Sequence, residues 1–374
     1  MTTVKYVAGG DSQGDEYGDI GPLAYSYNGL DWTNAASSIG MFTHVNSIAC
    51  NGTMWIATGN PGTDSMAYSY DGITWIGLGV VNFDQICNGV AWSDDLGMWV
   101  AVGKGTYNVA YSYDGLNWTG LHMGGANTVC VLVFYATTLS KWFIGVNLTS
   151  PVLFDSPDGI NWTGVADNKI LSYLSDMAFD GTTFVVVGLG SSHTTEHSID
   201  GVNWTGDGKP FGNYIWNSIA NNGSRFVVAT QADYDLGYSD DGANWTGVGI
   251  DAASVWSAGA GYIVRYGNSI WVAGGSTNAV GAVTPETSIL YSTDGLTWLD
   301  VNNDPFYYYY ADWDESYAAC YGLCYYDFPE AANIYSYDVD FEVAVQDNSV
   351  HVTGVVFEEV APANIIHVGN VGME

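Results

Sequence analysis

The side chains best suited to chemistry in this sequence are carboxylates and histidines in its loops. Near the N-terminus, Asp11, Asp15, Glu16 and Asp19 stand between two apolar runs. Clustered oxygen ligands suit a hard cation such as calcium, but the residue spacing of a calcium-binding loop is absent. We therefore interpret this segment as a solvated loop that offers ligand-binding groups, and we predict no metal site and no cofactor, with a calcium site among these carboxylates as the alternative.

A second candidate is the sequence His193-x-x-Glu196-His197, which has the spacing of a zinc-protease motif. Such a motif brings its ligands to one face only on a helix. Here the surrounding pattern is that of a loop and a strand, so no zinc site is predicted. Similar loop positions supply further candidates for ligand binding: His193, Tyr107, Asp233, Tyr234 and Asp235.

A recurring octet organises the elements that hold these loops. Its most regular copy is residues 112–119, with the sequence S-Y-D-G-L-N-W-T. Successive copies are spaced by 43, 43, 44, 42, 41 and 53 residues, and they begin at Ser26, Ser69, Ser112, Ser156, Ser198, Ser239 and Ser292. A nearly fixed period in this range marks an array of similar supersecondary units.

The chemistry of the octet is that of a tight hairpin. Asp-Gly between apolar runs favours a turn, because glycine accepts a positive φ and aspartate bonds nearby backbone N–H groups. The turn carboxylates are Asp71, Asp114, Asp158, Asp200, Asp241 and Asp294. The following indoles, which offer large apolar surfaces, are Trp32, Trp75, Trp118, Trp162, Trp204, Trp245 and Trp298. Copy one has Asn28 in place of the aspartate, so we expect its turn to be held less firmly.

The pattern S-x-D-G-x-x-W resembles the Asp-box, also called the BNR or sialidase-type repeat. The match covers roughly residues 1–303, and seven copies in register are far more specific than one. The resemblance implies a β-propeller in which each box joins the third and fourth strands of a four-stranded antiparallel blade. It implies a fold more firmly than an activity, because such arrays are not confined to sialidases.

The number of blades depends on how the ring closes. Unit one lacks its first strand, and residues 316–322, which resemble residues 47–52, are the best candidate to supply it. We therefore predict an all-β, seven-bladed propeller over residues 1–304, with blade 1 closed by a strand from about 314–326. Residues 305–374 would form a small C-terminal β appendage for closing and assembly, with a hairpin around residues 347–348. The alternative is eight blades, because residues 334–341 look like a decayed octet.

Sialidase activity is not expected from this composition. As the resemblance implies, those enzymes hold the substrate carboxylate with three arginines, whose planar geometry suits bidentate contacts. This chain has only Arg225 and Arg265. Another glycosidase would need two facing carboxyl groups, and nothing in the sequence pairs them. We predict that the protein is not an enzyme, with a non-sialidase glycosidase as the alternative.

The net charge, the apolar runs and the cysteine content limit the classes of binding partner and of protein that the sequence allows. The formal net charge of −33 opposes binding to nucleic acids and anionic lipids. The N-terminal residues lack a secretory signal, and no apolar run has the length of a membrane span. Five cysteines do not make a disulfide framework, and we interpret Cys50, Cys87 and Cys130 as small core residues.

Acidic Asp-box arrays rich in Tyr, Asn and Gly look similar to virion proteins of large DNA viruses or tailed phages. The leading prediction is a virion or fibre surface subunit, on an extracellular particle, that mediates assembly or attachment to a glycan or receptor. Its partners would be further copies of itself, other virion subunits or a cell-surface glycan. A further alternative is an intracellular, cytoplasmic scaffold similar to the propeller factors that help assemble photosystem II.

Overall fold

The computed structural model describes residues 3–12, 20–80, 82–124, 128–147, 152–165, 171–231, 234–248, 256, 260–280, 288–306, 308–310, 315–326, 343–346 and 349–352. Within these ranges the chain forms 31 strands and two 3-10 helices, Ala36–Ser38 and Thr137–Leu139. None of its helices there has the length and apolar character needed to cross a membrane. Asp15, Glu16, Asp19 and Asp233 lie outside the described residues, as does the octet-like segment 334–341.

The first four blades follow one another along the chain. Blade 1 contains β1 (Tyr6–Gly10), β2 (Leu23–Ser26) and β3 (Trp32–Asn34). Blade 2 contains β4 (Phe42–Cys50), β5 (Trp55–Pro61), β6 (Met66–Ser69) and β7 (Ile76–Gly77). Blade 3 contains β8 (Ile86–Ser93), β9 (Met98–Lys104), β10 (Val109–Ser112) and β11 (Thr119–Leu121). Blade 4 contains β12 (Cys130–Ala136), β13 (Lys141–Val146), β14 (Leu153–Ser156) and β15 (Thr163–Gly164).

The remaining blades repeat the same four-strand order. Blade 5 contains β16 (Tyr173–Phe179), β17 (Phe184–Leu189), β18 (Thr195–Ser198) and β19 (Thr205–Gly206). Blade 6 contains β20 (Trp216–Asn221), β21 (Phe226–Thr230), β22 (Leu236–Ser239) and β23 (Thr246–Val248). Blade 7 contains β24 (Ala260–Gly267), β25 (Ile270–Val280), β26 (Ile289–Ser292) and β27 (Leu299–Asp300). Beyond it lie β28 (Tyr308–Tyr310), β29 (Glu315–Tyr325), β30 (Val343–Gln346) and β31 (Ser349–Val352).

These strands form a seven-bladed β-propeller of antiparallel blades, as the sequence predicts, rather than the eight-bladed alternative. The inner strand of blade 1 is β29, which contains residues 316–322 and pairs antiparallel with β1. The first half of β29 also pairs with the second half of β25. Blades 7 and 1 therefore belong to one nine-stranded sheet. Residues 329–374 form a separate unit, in which β30 pairs with β31 across residues 347–348.

Each octet makes the turn between the third and fourth strands of its blade. In the third copy, Ser112 Oγ accepts a hydrogen bond from Gly115 N (2.9 Å) and donates one to Asp114 Oδ1 (3.0 Å). Asp114 Oδ1 also accepts the N–H groups of Leu116 (2.9 Å) and Asn117 (2.7 Å). Gly115 has a φ of 73°, which L-residues adopt only at a cost. The turn is thus complete within its own sequence.

The first copy of the octet makes the same bonds with two residues exchanged. Asn28 Oδ1 accepts the N–H groups of Leu30 (2.8 Å) and Asp31 (2.9 Å). Asn28 Nδ2 donates to Asp31 Oδ2 (2.7 Å), whereas in the third copy the amide is Asn117 and the carboxylate is Asp114. The amide and the carboxylate have changed places, so copy one keeps these hydrogen bonds with a neutral acceptor, and its Ser26 Oγ to Asn28 Oδ1 distance is longer (3.2 Å). The expectation of a less firmly held turn stays a prediction.

Among the described residues, the core consists of seven apolar clusters, one at each interface between neighbouring blades. The most deeply buried indoles of the second strands are those of Trp55, Trp99, Trp142 and Trp271, each at most 1% exposed. The octet indole of Trp298 is 9% exposed, and those of Trp118 and Trp162 are half-buried. The octet indoles of Trp32 and Trp75 are only 2% and 3% exposed, so octet and second-strand tryptophans both contribute to the buried interfaces.

Candidate binding site at the mouth of the central channel

The inner strands of the seven blades, which are β29, β4, β8, β12, β16, β20 and β24, surround a central channel of about 550 Å³. The octet turns lie at one end of this channel, and the loops that join second to third strands lie at the other. At the loop end the channel widens into a funnel of about 490 Å³. We call this space the funnel. Its polar lining residues include Asn46, Asn88, Asn147, Tyr173, Ser175, Asn217, Gln231 and Tyr262.

A β-bulge in the inner strands presents side chains to the funnel. The pairing of β4 with β5 shifts between Val45 and Ser47, which leaves Asn46 unpaired in the ladder. Equivalent shifts leave Asn88, Val131, Ser175, Asn217 and Tyr262 unpaired in the next five blades. A bulge re-aims the side chain of the extra residue. All six of these residues line the funnel.

Three of the bulge residues are asparagines that tie each blade to the next. Each side-chain amide donates a hydrogen bond to a backbone carbonyl of the following blade: Asn46 to Cys87 (3.1 Å), Asn88 to Cys130 (2.8 Å) and Asn217 to Gly261 (2.7 Å). An amide nitrogen carries two protons, and Asn46 Nδ2 also donates to Asn60 Oδ1 (3.1 Å). The amides are therefore fixed in position by the fold.

These asparagines are absent from the residues predicted above, although the sequence contains a signal for them. Residues 46–49, 88–91 and 217–220 read N-S-I-A, N-G-V-A and N-S-I-A, at the start of an apolar run in three units. Alignment of the units on their inner strands, rather than on their octets, would have revealed this recurrence. An apolar strand that begins with a repeated asparagine is a recognisable pattern only once the units are superimposed.

A charged network crosses three blades deeper in the channel. Arg265 Nη1 donates to Asp176 Oδ2 (3.1 Å) and to Ser218 Oγ (2.9 Å). Ser218 Oγ itself donates to Asp176 Oδ2 (2.8 Å). Arg225 lies elsewhere, paired with Asp240 (2.7 Å) at the edge of blade 6. The two arginines are thus engaged in separate places, and they do not form a clamp for a substrate carboxylate.

Three of the predicted ligand-binding residues occupy one structural position, at the outer strands rather than in the funnel. Tyr107, His193 and Tyr234 each end the loop before the third strand of their blade. Their side chains lie directly over glycines of the fourth strands, where a Cβ would collide with the ring: Gly120, Gly206 and Gly247. The glycine two residues after the octet tryptophan was the sequence signal for this packing. It makes room for the ring.

The other described candidates are Asp11 and Asp235. Asp11 Oδ1 pairs with His44 Nδ1 at 2.7 Å, and His44 lines the funnel, so Asp11 lies beside its rim. Asp235 is half-buried at the end of its loop. Burial raises the pKa of Asp235 to about 7. Of the described candidates, Asp11 is the one that the fold brings next to the funnel.

The H-x-x-E-H segment does not assemble a metal site. Glu196 and His197 are neighbours on β18, whose side chains alternate between its two faces. Glu196 is fully buried and its Oε1 accepts the N–H of Leu171 (2.6 Å), while His197 Nδ1 pairs with Asp207 Oδ1 (2.6 Å). Burial raises the pKa of Glu196 to about 7. Across the described part of the chain, no three His, Cys, Asp or Glu residues could hold a metal ion.

Comparison with known proteins supports the fold. No protein-family model matches the sequence, and no curated protein sequence matches it. The GH74 enzyme of Niastella koreensis is similar in structure over 82% of this chain, with 15% identity and a TM-score of 0.57. This chain spans 56% of the length of that enzyme.

Two further β-propellers show the range of activities among similar structures. YCF48 bound to D1 peptide has 15% identity and a TM-score of 0.52, and the match covers 77% of this chain and 93% of YCF48. Virginiamycin B lyase from Staphylococcus aureus has 8% identity and a TM-score of 0.54, with 75% of this chain and 95% of the lyase covered. At such identities the similarity establishes a shared fold alone, because one fold supports many functions.

Proposed function

We propose that this protein is a non-enzymatic member of the Asp-box propellers that binds a glycan in the funnel. The observation that carries the proposal is the set of neutral amides that blade-to-blade hydrogen bonds hold at the channel mouth. Amides both donate and accept hydrogen bonds, which suits sugar hydroxyls. Tyr173 and Tyr262 line the same funnel and add aromatic surface for sugar rings.

The charges of the residues that line the funnel support a neutral ligand there. The chain has 40 acidic residues, yet the described residues that line the funnel include no Asp or Glu. Hydrolysis of a glycosidic bond requires two carboxyl groups that flank the substrate. The nearby carboxylates have other partners: His44 pairs with Asp11, and Arg265 pairs with Asp176. These contacts favour binding over hydrolysis.

The proposed setting is the surface of a virion or fibre, where the protein would attach the particle to a host glycan or receptor. The acidic, Tyr-rich and Gly-rich composition supports this setting, and the rigid propeller suits display of one binding face. Mass spectrometry of purified particles tests it directly. Recovery of the chain only from a soluble host fraction, with no particle association, would contradict the setting.

A glycan array followed by calorimetric titration tests the binding function. We expect neutral oligosaccharides to bind, and Tyr173→Ala to weaken binding by about tenfold or more through loss of an aromatic contact. Tyr113→Ala is the matched control, because Tyr113 is an exposed tyrosine at the opposite, octet end of the propeller. Equal binding by wild type and Tyr173→Ala would contradict the funnel as the site. Release of reducing sugar from the bound glycan would favour the glycosidase alternative.

A further inference from the structure

The closing strand β29 runs beside β4, the inner strand of blade 2. A Cβ placed on Gly322 would lie 3.3 Å from Val45 Cγ1, so the two backbones approach closely there. Further along, the ring and hydroxyl of Tyr326 lie over Gly52 and leave no room for a Cβ on that glycine. Cys324 of β29 and Cys50 at the end of β4 lie in the lining of the same channel.

Cys50 and Cys324 differ from the other cysteines of the chain. Both line the central channel and pack against the same apolar cluster between blades 1 and 2. Both are partly exposed, whereas Cys87, Cys130 and Cys320 are fully buried. The backbone N–H of Cys50 is directed at Cys324 Sγ. The sequence-based interpretation of Cys50 as a simple core residue misses this neighbour, because the two cysteines are separated by most of the chain.

We propose that Cys50 and Cys324 form an intramolecular disulfide that locks the ring at its closure. The oxidant is a small-molecule disulfide such as oxidised glutathione. The Cys50 thiolate attacks one sulfur of the oxidant, which forms a mixed disulfide and releases one thiolate. Cys324 then attacks Cys50 Sγ and releases the second. Two protein thiols lose two electrons and two protons, and the oxidant becomes two small thiols.

The environment of the pair sets the rate of this reaction. Burial raises the pKa of the Cys324 thiol to about 12, and burial together with the nearby Cys324 also raises the pKa of Cys50. The thiolate is the reacting form, so oxidation at neutral pH is slow and accelerates as pH rises. The protein would therefore fold with both thiols reduced and acquire the lock later, in an oxidising environment.

The test begins with the full-length protein and oxidised glutathione at pH 7 and pH 9. We expect the intact mass to fall by about 2 Da, a digested peptide pair that joins Cys50 to Cys324, and faster formation at pH 9. The melting temperature should rise by about 5 °C or more, because the bond closes a loop that includes most of the propeller. Dithiothreitol should reverse both changes.

Variants separate this pair from the other cysteines. Cys50→Ser and Cys324→Ser should each abolish the loss of about 2 Da, and Cys324→Ser should instead keep glutathione bound to Cys50, because no second thiol displaces it. Cys130→Ser, in the inner strand of blade 4, should retain the loss of mass. Three results in the wild-type protein would overturn the proposal, whatever the stability of the variants. These are an unchanged mass after oxidation, a disulfide between any other two cysteines, and a stable glutathione adduct at Cys50 without ring closure.

Discussion

The octet turns and the inner strands both occur seven times, but their side chains bond over very different lengths of sequence. In an octet, Ser112 bonds Gly115 three residues away. On the inner strands, Asn46 bonds Cys87 at a separation of 41 residues, and Arg265 bonds Asp176 at a separation of 89. An octet contains every atom that it needs, so its geometry repeats. An inner strand depends on its neighbours, so it can differ from blade to blade and can form a site.

Removal of one inner strand is expected to have the largest effect on stability. A chain that ends at residue 304 lacks β29, so β1 keeps β2 but loses its inner partner, and the buried residues Tyr6, Val7 and Ala8 become exposed. We expect a loss on the order of 5 kcal/mol or more, comparable with the whole stability of many domains. Circular dichroism melts should show that cooperative unfolding is lost. Size-exclusion chromatography should show that the shortened chain aggregates.

A chain that ends at residue 328 is the control for this truncation, because it retains β29 and the complete propeller unit. It should melt cooperatively near the temperature of the full-length chain. If the chain that ends at 304 melted in the same way, the closing role of β29 would be refuted. If the chain that ends at 328 lost stability or changed its oligomeric state, the C-terminal unit would have a docking role.

A smaller and uniform effect is expected in the octets. Ser112→Ala removes the acceptor for the buried N–H of Gly115, which should cost about 2 kcal/mol of unfolding free energy. Ser69→Ala and Ser239→Ala remove the same bond in blades 2 and 6. Urea unfolding of the three variants should agree within about 0.5 kcal/mol, because the sites are distant and independent. A wide spread would show that octets depend on their blades.

The channel network should behave differently, because its members are coupled. Arg265→Ala leaves Asp176 without its cation and should cost about 1.5 kcal/mol. Asp176→Asn combined with Arg265→Ala should cost less than the sum of the two single variants. Arg225→Ala is the control, since its partner Asp240 is exposed and such pairs contribute less than about 1 kcal/mol. Strict additivity of Asp176 and Arg265 in urea unfolding would contradict the network.

The smallest effect concerns protonation of the octet carboxylates. Hydrogen bonds from the N–H groups of Thr297 and Leu296 lower the pKa of Asp294 to about 2. A lowered pKa gives stability that is present above the ordinary value near 3.8 and is lost as pH falls towards 2. Asp294→Asn should change stability at pH 7 by less than about 0.5 kcal/mol, because Asn28 makes the same bonds in copy one.

Melting curves between pH 5 and pH 2 measure this difference. The variant should lose less stability than the wild-type protein over that interval, since its amide does not titrate in that range. An equally steep acid dependence would mean that Asp294 is not held by the turn. A large loss of stability of Asp294→Asn at pH 7 would mean that an asparagine at this position needs a carboxylate three residues later, as Asn28 has in Asp31.

The difference between the two regions also explains what the sequence reveals. Local bonds such as those of Asp114 leave a fixed spacing in the chain, and that spacing was enough to predict seven blades. The funnel depends on bulges and on hydrogen bonds between blades. The local sequence around Asn46 does not indicate that its partner is Cys87. The positions of Tyr107, His193 and Tyr234 could not be derived from loop composition, because packing over a strand glycine decides them. A unit-by-unit alignment of the fourth-strand glycines would have indicated this packing of a ring over a glycine.

The sheet that blades 7 and 1 share through β29 has a mechanical consequence. A pull on the chain beyond residue 326 would act along β29, which is paired with β1 on one part of its length and with β25 on another. Such a force would load both ladders in shear, so many hydrogen bonds would have to break together rather than one after another. A tether attached at that end would therefore pull on the ring as a unit rather than on one blade.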